Sequence, residues 1–192
     1  MSTATGTGGM VNASMQVLTK PSEASFQAVK GSVKTSWTVI ALLVAGAISG
    51  LLGKLLSGDV GAMVTGLIGG AIGGLIGYYI GQVILWIFAK IFGGKGGLGF
   101  QANLLALFYA PLTVVNSILA LIPVVGLILT LIVGIYELVL LTFGLKVTHE
   151  YSTGKAVLTW LVPAIIVAII AAILFVIVGA AIFAAISGGL GQ

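Results

Sequence analysis

FGGKGGLGFQANLLALFYAPLTVVNSILALIPVVGLILTLIVGIYELVLLTFGLKVTHEYSTGK, residues 92–155, decides the fold. Between Lys95 and Glu137 it holds no charged side chain, Pro111 and Pro123 divide the apolar run, and Lys146, His149, Glu150 and Lys155 close it. A membrane-spanning helix needs about 20 apolar residues. The run is long enough for two, and Pro123 stands where a turn would separate them. It therefore reads as an antiparallel pair of spans, about 102–121 and 124–145, with one carboxylate, Glu137, inside the second.

The rest of the chain is of the same kind. Of 192 residues, 59% are hydrophobic and only 6% charged, whereas an average soluble domain is about a quarter charged. So much apolar surface cannot hide in one water-soluble core, and the bilayer must be the solvent. Three more spans follow from the same criterion, about 37–56, 60–89 and 157–186. The expected fold class is all-α and integral to the membrane, with five transmembrane helices making a domain over 37–187 and a short tail at 188–192. No secretory signal is expected, because the first apolar run begins near Trp37 and is followed by further spans.

Ahead of the first span, residues 1–16 are rich in Ser, Thr, Gly and Ala and read as a flexible tail. Over 17–36, Pro21 and Glu23 suit the start of a helix. Phe26, Val29, Val33 and Trp37 then recur at helical spacing, with Lys30 and Lys34 on another face. That pattern predicts an amphipathic juxtamembrane helix lying on the membrane surface, lysines toward phosphate.

The charged residues are eight lysines, three glutamates and one aspartate, for a net charge of +4. With the N-terminus in the cytoplasm, Lys20, Lys30, Lys34, Lys90, Lys95, Lys146 and Lys155 face inward and only Lys54 faces outward. The positive-inside rule therefore predicts a cytoplasmic N-terminus and an external C-terminus. The lysines are topology markers beside anionic lipid. A nucleic-acid partner is not expected, since that needs a clustered basic face with arginine or aromatics interleaved. The absence of cysteine excludes disulfides and thiolate metal sites.

The second span carries two interleaved ladders of small residues, Gly69, Gly73, Gly77 and Gly81 on one stripe and Gly66, Gly70 and Gly74 on another. Gly46 and Gly50 on the first span offer a matching surface. Such stripes let helix backbones approach closely, either within the bundle or between copies of the chain. Glu137 lies nine residues before Lys146, about 13 Å below that boundary. Counted from Lys90, Tyr78, Tyr79 and Gln82 fall at similar depth, Tyr109 is about 10 Å in on the third span, and Tyr136 adjoins the carboxylate. These six residues form a candidate intramembrane polar cluster. A carboxyl at that depth with no cationic partner is expected to be neutral and to donate to tyrosine or glutamine.

FGGKGGLG lacks the GxxxxGK[ST] spacing and the preceding strand of a phosphate loop, so it reads as a flexible connector. His149 has no spaced ligand partners and reads as a loop or helix-end residue. Asn116 can hydrogen-bond within the bundle. No nucleophile, base and orienting group come together, so neither enzymatic activity nor a cofactor or metal is expected.

VLTKPSEASF before the first span, then FGGKGGLGF, LFYAPL and GLKVTHEYSTGKA, and a last long span with Pro163, resemble the Yip-domain family of five-span membrane proteins over roughly residues 17–186. The resemblance implies the same N-cytoplasmic topology and a role in contacting other membrane components. Eukaryotic members contact Rab-type GTPases through cytoplasmic parts, but this chain lacks their longer N-terminal domain and DLYGP-type motif. It is similar to the short prokaryotic members, which places it in the cell membrane and leaves a Rab-type GTPase outside the expectation. The resulting expectation is a scaffold or adaptor that packs against lipids, other membrane proteins or itself. The alternative is a small channel or transporter using Glu137.

Overall fold

A computed structural model describes residues 7–189, with side chains over 9–180. Seven helices follow in order: α1 Thr7–Thr19, α2 Glu23–Val29, α3 Thr35–Leu55, α4 Val60–Ile91, α5 Leu98–Leu119, α6 Val125–His149 and α7 Thr153–Gly189. Five of them, α3 to α7, are long and apolar enough to cross a bilayer. Their bounds agree with the sequence reading to within a few residues, because spans set by hydrocarbon thickness end where polar or turn-forming residues begin. Asp59 shows this at the α3–α4 turn, accepting from the Gly61 amide at 2.8 Å as the N-cap of α4.

The N-terminal region differs from expectation. Residues 1–6 lie outside the described part, but from Thr7 the stretch read as a tail is helical, and Met10, Ala13 and Val17 are buried on one stripe against α5. A helix this short and this small in side-chain volume draws its stability from tertiary contact rather than propensity. The juxtamembrane helix is also not continuous over 17–36. α1 stops before Pro21, which has no amide to donate and disfavours helix in the residue before it. α2 restarts behind Ser22, whose hydroxyl accepts from the Ser25 amide at 3.2 Å, with Glu23 in the first turn. Phe26 and Val29 then bury against the bundle instead of lying on a surface: the Phe26 ring meets Phe108 edge-on at 6.2 Å. Glu23 pairs with Lys146 at 2.7 Å.

α5 is the central helix. Of residues 101–112 only Tyr109 and Pro111 are not buried, and α1, α3, α4 and α6 all pack on it. Asn103 Nδ2 donates to Thr35 Oγ1 at 2.9 Å and Ser117 Oγ to Ser49 Oγ at 2.6 Å, which fixes the register of α5 on α3. Tyr78 donates to the Ala102 carbonyl at 2.6 Å, so the level at which α3 begins meets α4 near Tyr78. The remaining thirteen residues of α4 extend about 20 Å past that level.

α3 and α4 cross through glycine. A Cβ on Gly46 or Gly50 would run into the backbone of Gly70 and Gly66, and the reverse holds as well. The Gly66/Gly70/Gly74 ladder is the one that meets α3. Gly69, Gly73, Gly77 and Gly81 have open space at the Cβ position. α7 leaves the bundle after Pro163: every residue from 164 to 180 is exposed.

Candidate functional site

Two polar centres sit on α5. The first is where α4, α5 and α6 meet at the lysine-rich end. Gln101, fully buried, donates from Nε2 to the Gln82 carbonyl at 3.0 Å and to Gln82 Oε1 at 2.8 Å. Its Oε1 then faces His149 Nε2 at 2.8 Å. An amide oxygen only accepts, so this orientation of the amide puts the imidazole proton on Nε2 and leaves Nδ1 an acceptor. His149 Nδ1 has no partner among the described residues and abuts Gly94, where a Cβ would lie 2.6 Å away.

The glycine loop is built onto this histidine and is not a loose connector. The Lys95 amide donates to the His149 carbonyl at 3.2 Å, Trp86 Nε1 donates to the Gly96 carbonyl at 3.1 Å, and Lys90 Nζ donates to the Gly94 and Lys95 carbonyls, each at 3.1 Å. Gly93 takes a positive φ of 84° and Gly96 packs on Thr148. Glycine is required here for contact and conformation rather than for freedom of movement. Below the loop, Tyr151 closes on His149 with ring centroids 5.4 Å apart and shares a 2.8 Å hydrogen bond with Thr159. Burial pushes the Tyr151 phenol above its ordinary range, and the Thr159 contact partly offsets this.

The second centre is Glu137. Its Oε1 accepts from Asn116 Nδ2 at 2.9 Å. Side chains on a helix lean toward its N-terminus. On antiparallel α5 and α6 that lean carries Asn116 and Glu137 toward each other, which closes an offset that a simple count from Pro123 misses. A cavity of about 230 Å³ between α4, α5 and α6 is lined by Tyr78, Gln82, Tyr109 and Glu137, with Gly77, Gly81 and Gly134 opening its walls.

Of the six candidate cluster residues, four therefore border one cavity, but their hydrogen bonds go elsewhere. Tyr78 donates to Ala102, Gln82 pairs with Gln101, and Tyr136 points away to the Leu18 carbonyl of α1. Tyr79 stacks edge-on against Tyr78 at 5.7 Å. A count along the sequence gives no hydrogen-bond partners, and it was these that differed. α4 runs on beyond the level of Thr35 and Asn103. Gln101 and Asn103 were not singled out by the sequence. Their signal is three strong hydrogen-bonding side chains, with Asn116, on the span that is the most buried of the five.

The residue strings FGGKGGLGF and GLKVTHEYSTGK, some fifty residues apart, thus form one packed junction. The family model for the Yip1 domain matches residues 15–176. The chain belongs to the Yip1 domain family. The match runs from the last residues of α1 into the free half of α7 and so takes in α2 together with the apolar spans, and this Yip1-domain protein is a multi-pass integral membrane protein. No curated protein matches the chain, and no solved structure does.

Proposed function

We propose that this Yip1-domain protein is a non-enzymatic membrane adaptor that packs against helices of partner membrane proteins, one form of which is an accessory subunit of a larger complex. The observation that carries this reading is the isolation of α7. Seventeen consecutive residues, 164–180, are all exposed among the described residues, and they include Phe175 at 80% exposure. Gly69 and Gly73 add a second surface that the bundle leaves open, of the small-residue type that membrane helices use for close contact. Site-directed photocrosslinking along α7 in native membranes tests the reading. Protein adducts confined to one helical stripe of residues 164–180, spaced three or four apart, are the expected outcome. Lipid adducts alone, spread evenly around the helix, would refute it.

A second reading is transport through Glu137, favoured by the cavity that reaches from Gln82 to that carboxyl. An intramembrane ionisable group is a functional candidate on chemical grounds. Against it, Glu137 is the one ionisable carboxyl lining a cavity otherwise made of tyrosine, glutamine, glycine and apolar side chains, and Asn116 already engages it. Reconstituted vesicles separate the two readings: transport requires proton or cation flux that Glu137→Gln abolishes, and adaptor function requires none.

A further inference from the structure

A lateral groove of about 610 Å³ lies between α1 and α3, within the range of roughly 300–1,000 Å³ typical of ligand pockets. Val11 and Met15 form one wall, Ile40 and Val44 the other, and Pro111 of α5 lines it between them. All four wall residues are more than half exposed, so the groove opens sideways. Lys34, Ser36 and Trp37 line the end where α3 begins. From Lys34 to Val44 is ten residues, about 15 Å along the helix. That is half of the roughly 30 Å hydrocarbon core, the depth of one acyl chain in one leaflet.

The rim has the chemistry of a headgroup site, with a lysine, a hydroxyl and an indole of the kind that settles at the membrane interface. A second observation comes from inside. Ser14 lines the groove, is only 7% exposed, and its hydroxyl has no hydrogen-bond partner among the described residues. An acyl chain enters the membrane behind an ester carbonyl, which is an acceptor.

We propose that this groove binds one acyl chain of an anionic glycerophospholipid from the leaflet on the lysine-rich side. Its phosphate lies at Lys34 and Ser36, and an ester carbonyl accepts from Ser14. This site is separate from the α7 surface and does not depend on the adaptor reading.

Trp37 provides the assay. In the Trp86→Phe/Trp160→Phe chain, held in nanodiscs, its fluorescence is followed as phosphatidylglycerol with brominated acyl chains is added to a phosphatidylcholine background. Saturable quenching is expected, with half-saturation at a mole fraction roughly fivefold lower than for brominated phosphatidylcholine. Lys34→Gln should remove that headgroup preference, and Val44→Phe should fill the groove and remove the saturable component with helix content unchanged. Native mass spectrometry of the unsubstituted chain gives an independent reading, with one phosphatidylglycerol retained per chain and none on Val44→Phe. Quenching that follows bulk mole fraction equally for both lipids, with no retained lipid, overturns the proposal. So does the absence of quenching together with intermolecular crosslinking of a Val11→Cys/Ile40→Cys chain, which would make a second copy the occupant.

Discussion

Replacing Phe26 with alanine should release the N-terminal segment while leaving the five spans assembled. Phe26 is fully buried, its ring set edge-on to Phe108, with Gly144 making room beside it. Truncating a buried phenylalanine costs about 3–5 kcal/mol. The polar ties of this segment are weaker, and of its apolar contacts Phe26 is the largest fully buried side chain. The Glu23–Lys146 ion pair is half-exposed on the glutamate side and contributes at most about 1 kcal/mol. The Tyr136 hydroxyl to the Leu18 carbonyl adds a net of roughly 0.5–1.5 kcal/mol. A helix of seven residues has no independent stability, so α2 is held by docking alone. Losing about 4 kcal/mol raises the undocked population roughly 1,000-fold. Lys30 follows α2, is exposed and precedes Gly31, so tryptic cleavage after it in detergent reads that population directly. Cleavage after Lys30 should accelerate by orders of magnitude in Phe26→Ala and by less than about tenfold in Glu23→Gln, with helix content from the spans retained. Cleavage within about threefold of the unsubstituted rate would refute the docking argument. Loss of the whole helical signal would refute the independence of the spans.

Three further substitutions probe other contacts. Gly50→Leu drives a side chain into the Gly66 and Gly70 backbone and should lower the thermal midpoint in detergent by the equivalent of about 1–3 kcal/mol or more, whereas Gly73→Leu faces open space and should leave it equal or slightly higher. Glu137→Leu strands the Asn116 amide and should destabilise the chain by about 1–3 kcal/mol in mixed-micelle unfolding, while Glu137→Gln keeps an acceptor and should fall within about 1 kcal/mol of the parent. Gly94→Val places its Cβ against His149 Nδ1 and the Ala89 carbonyl, which should unseat the loop and shift Trp86 emission, since Trp86 is tied to Gly96.

The five spans were legible because span length is a property of the solvent, and runs such as 125–145 announce themselves with no knowledge of their neighbours. What depended on neighbours was not legible. α1 is made of small and polar residues, and only the Met10, Ala13 and Val17 spacing hinted that it had a face to bury. The glycine loop carries no sign that His149 and Thr148 are what it fits. The polar cluster was drawn by counting inward from Lys90, and such a count says nothing of which neighbour each side chain bonds: Tyr78 goes to Ala102 and Gln82 to Gln101. Asn116, noted only as a general hydrogen-bonder, is the residue that reaches Glu137.

The five spans also differ in a way that bears on how the chain enters its membrane. α5 is the least hydropathic of them and the most buried; α7 is the most hydropathic and among the least buried. With Gln101, Asn103 and Asn116 along it, α5 gains little from lipid and finds its hydrogen bonds only in α3, α4 and α6. α7 partitions on hydrophobicity alone. α5 should therefore depend on its neighbours to enter the bilayer, which a glycosylation-reporter insertion assay would read as poor insertion of residues 98–119 alone and efficient insertion together with α6. Such an assay should find α7 inserting without help from the other spans.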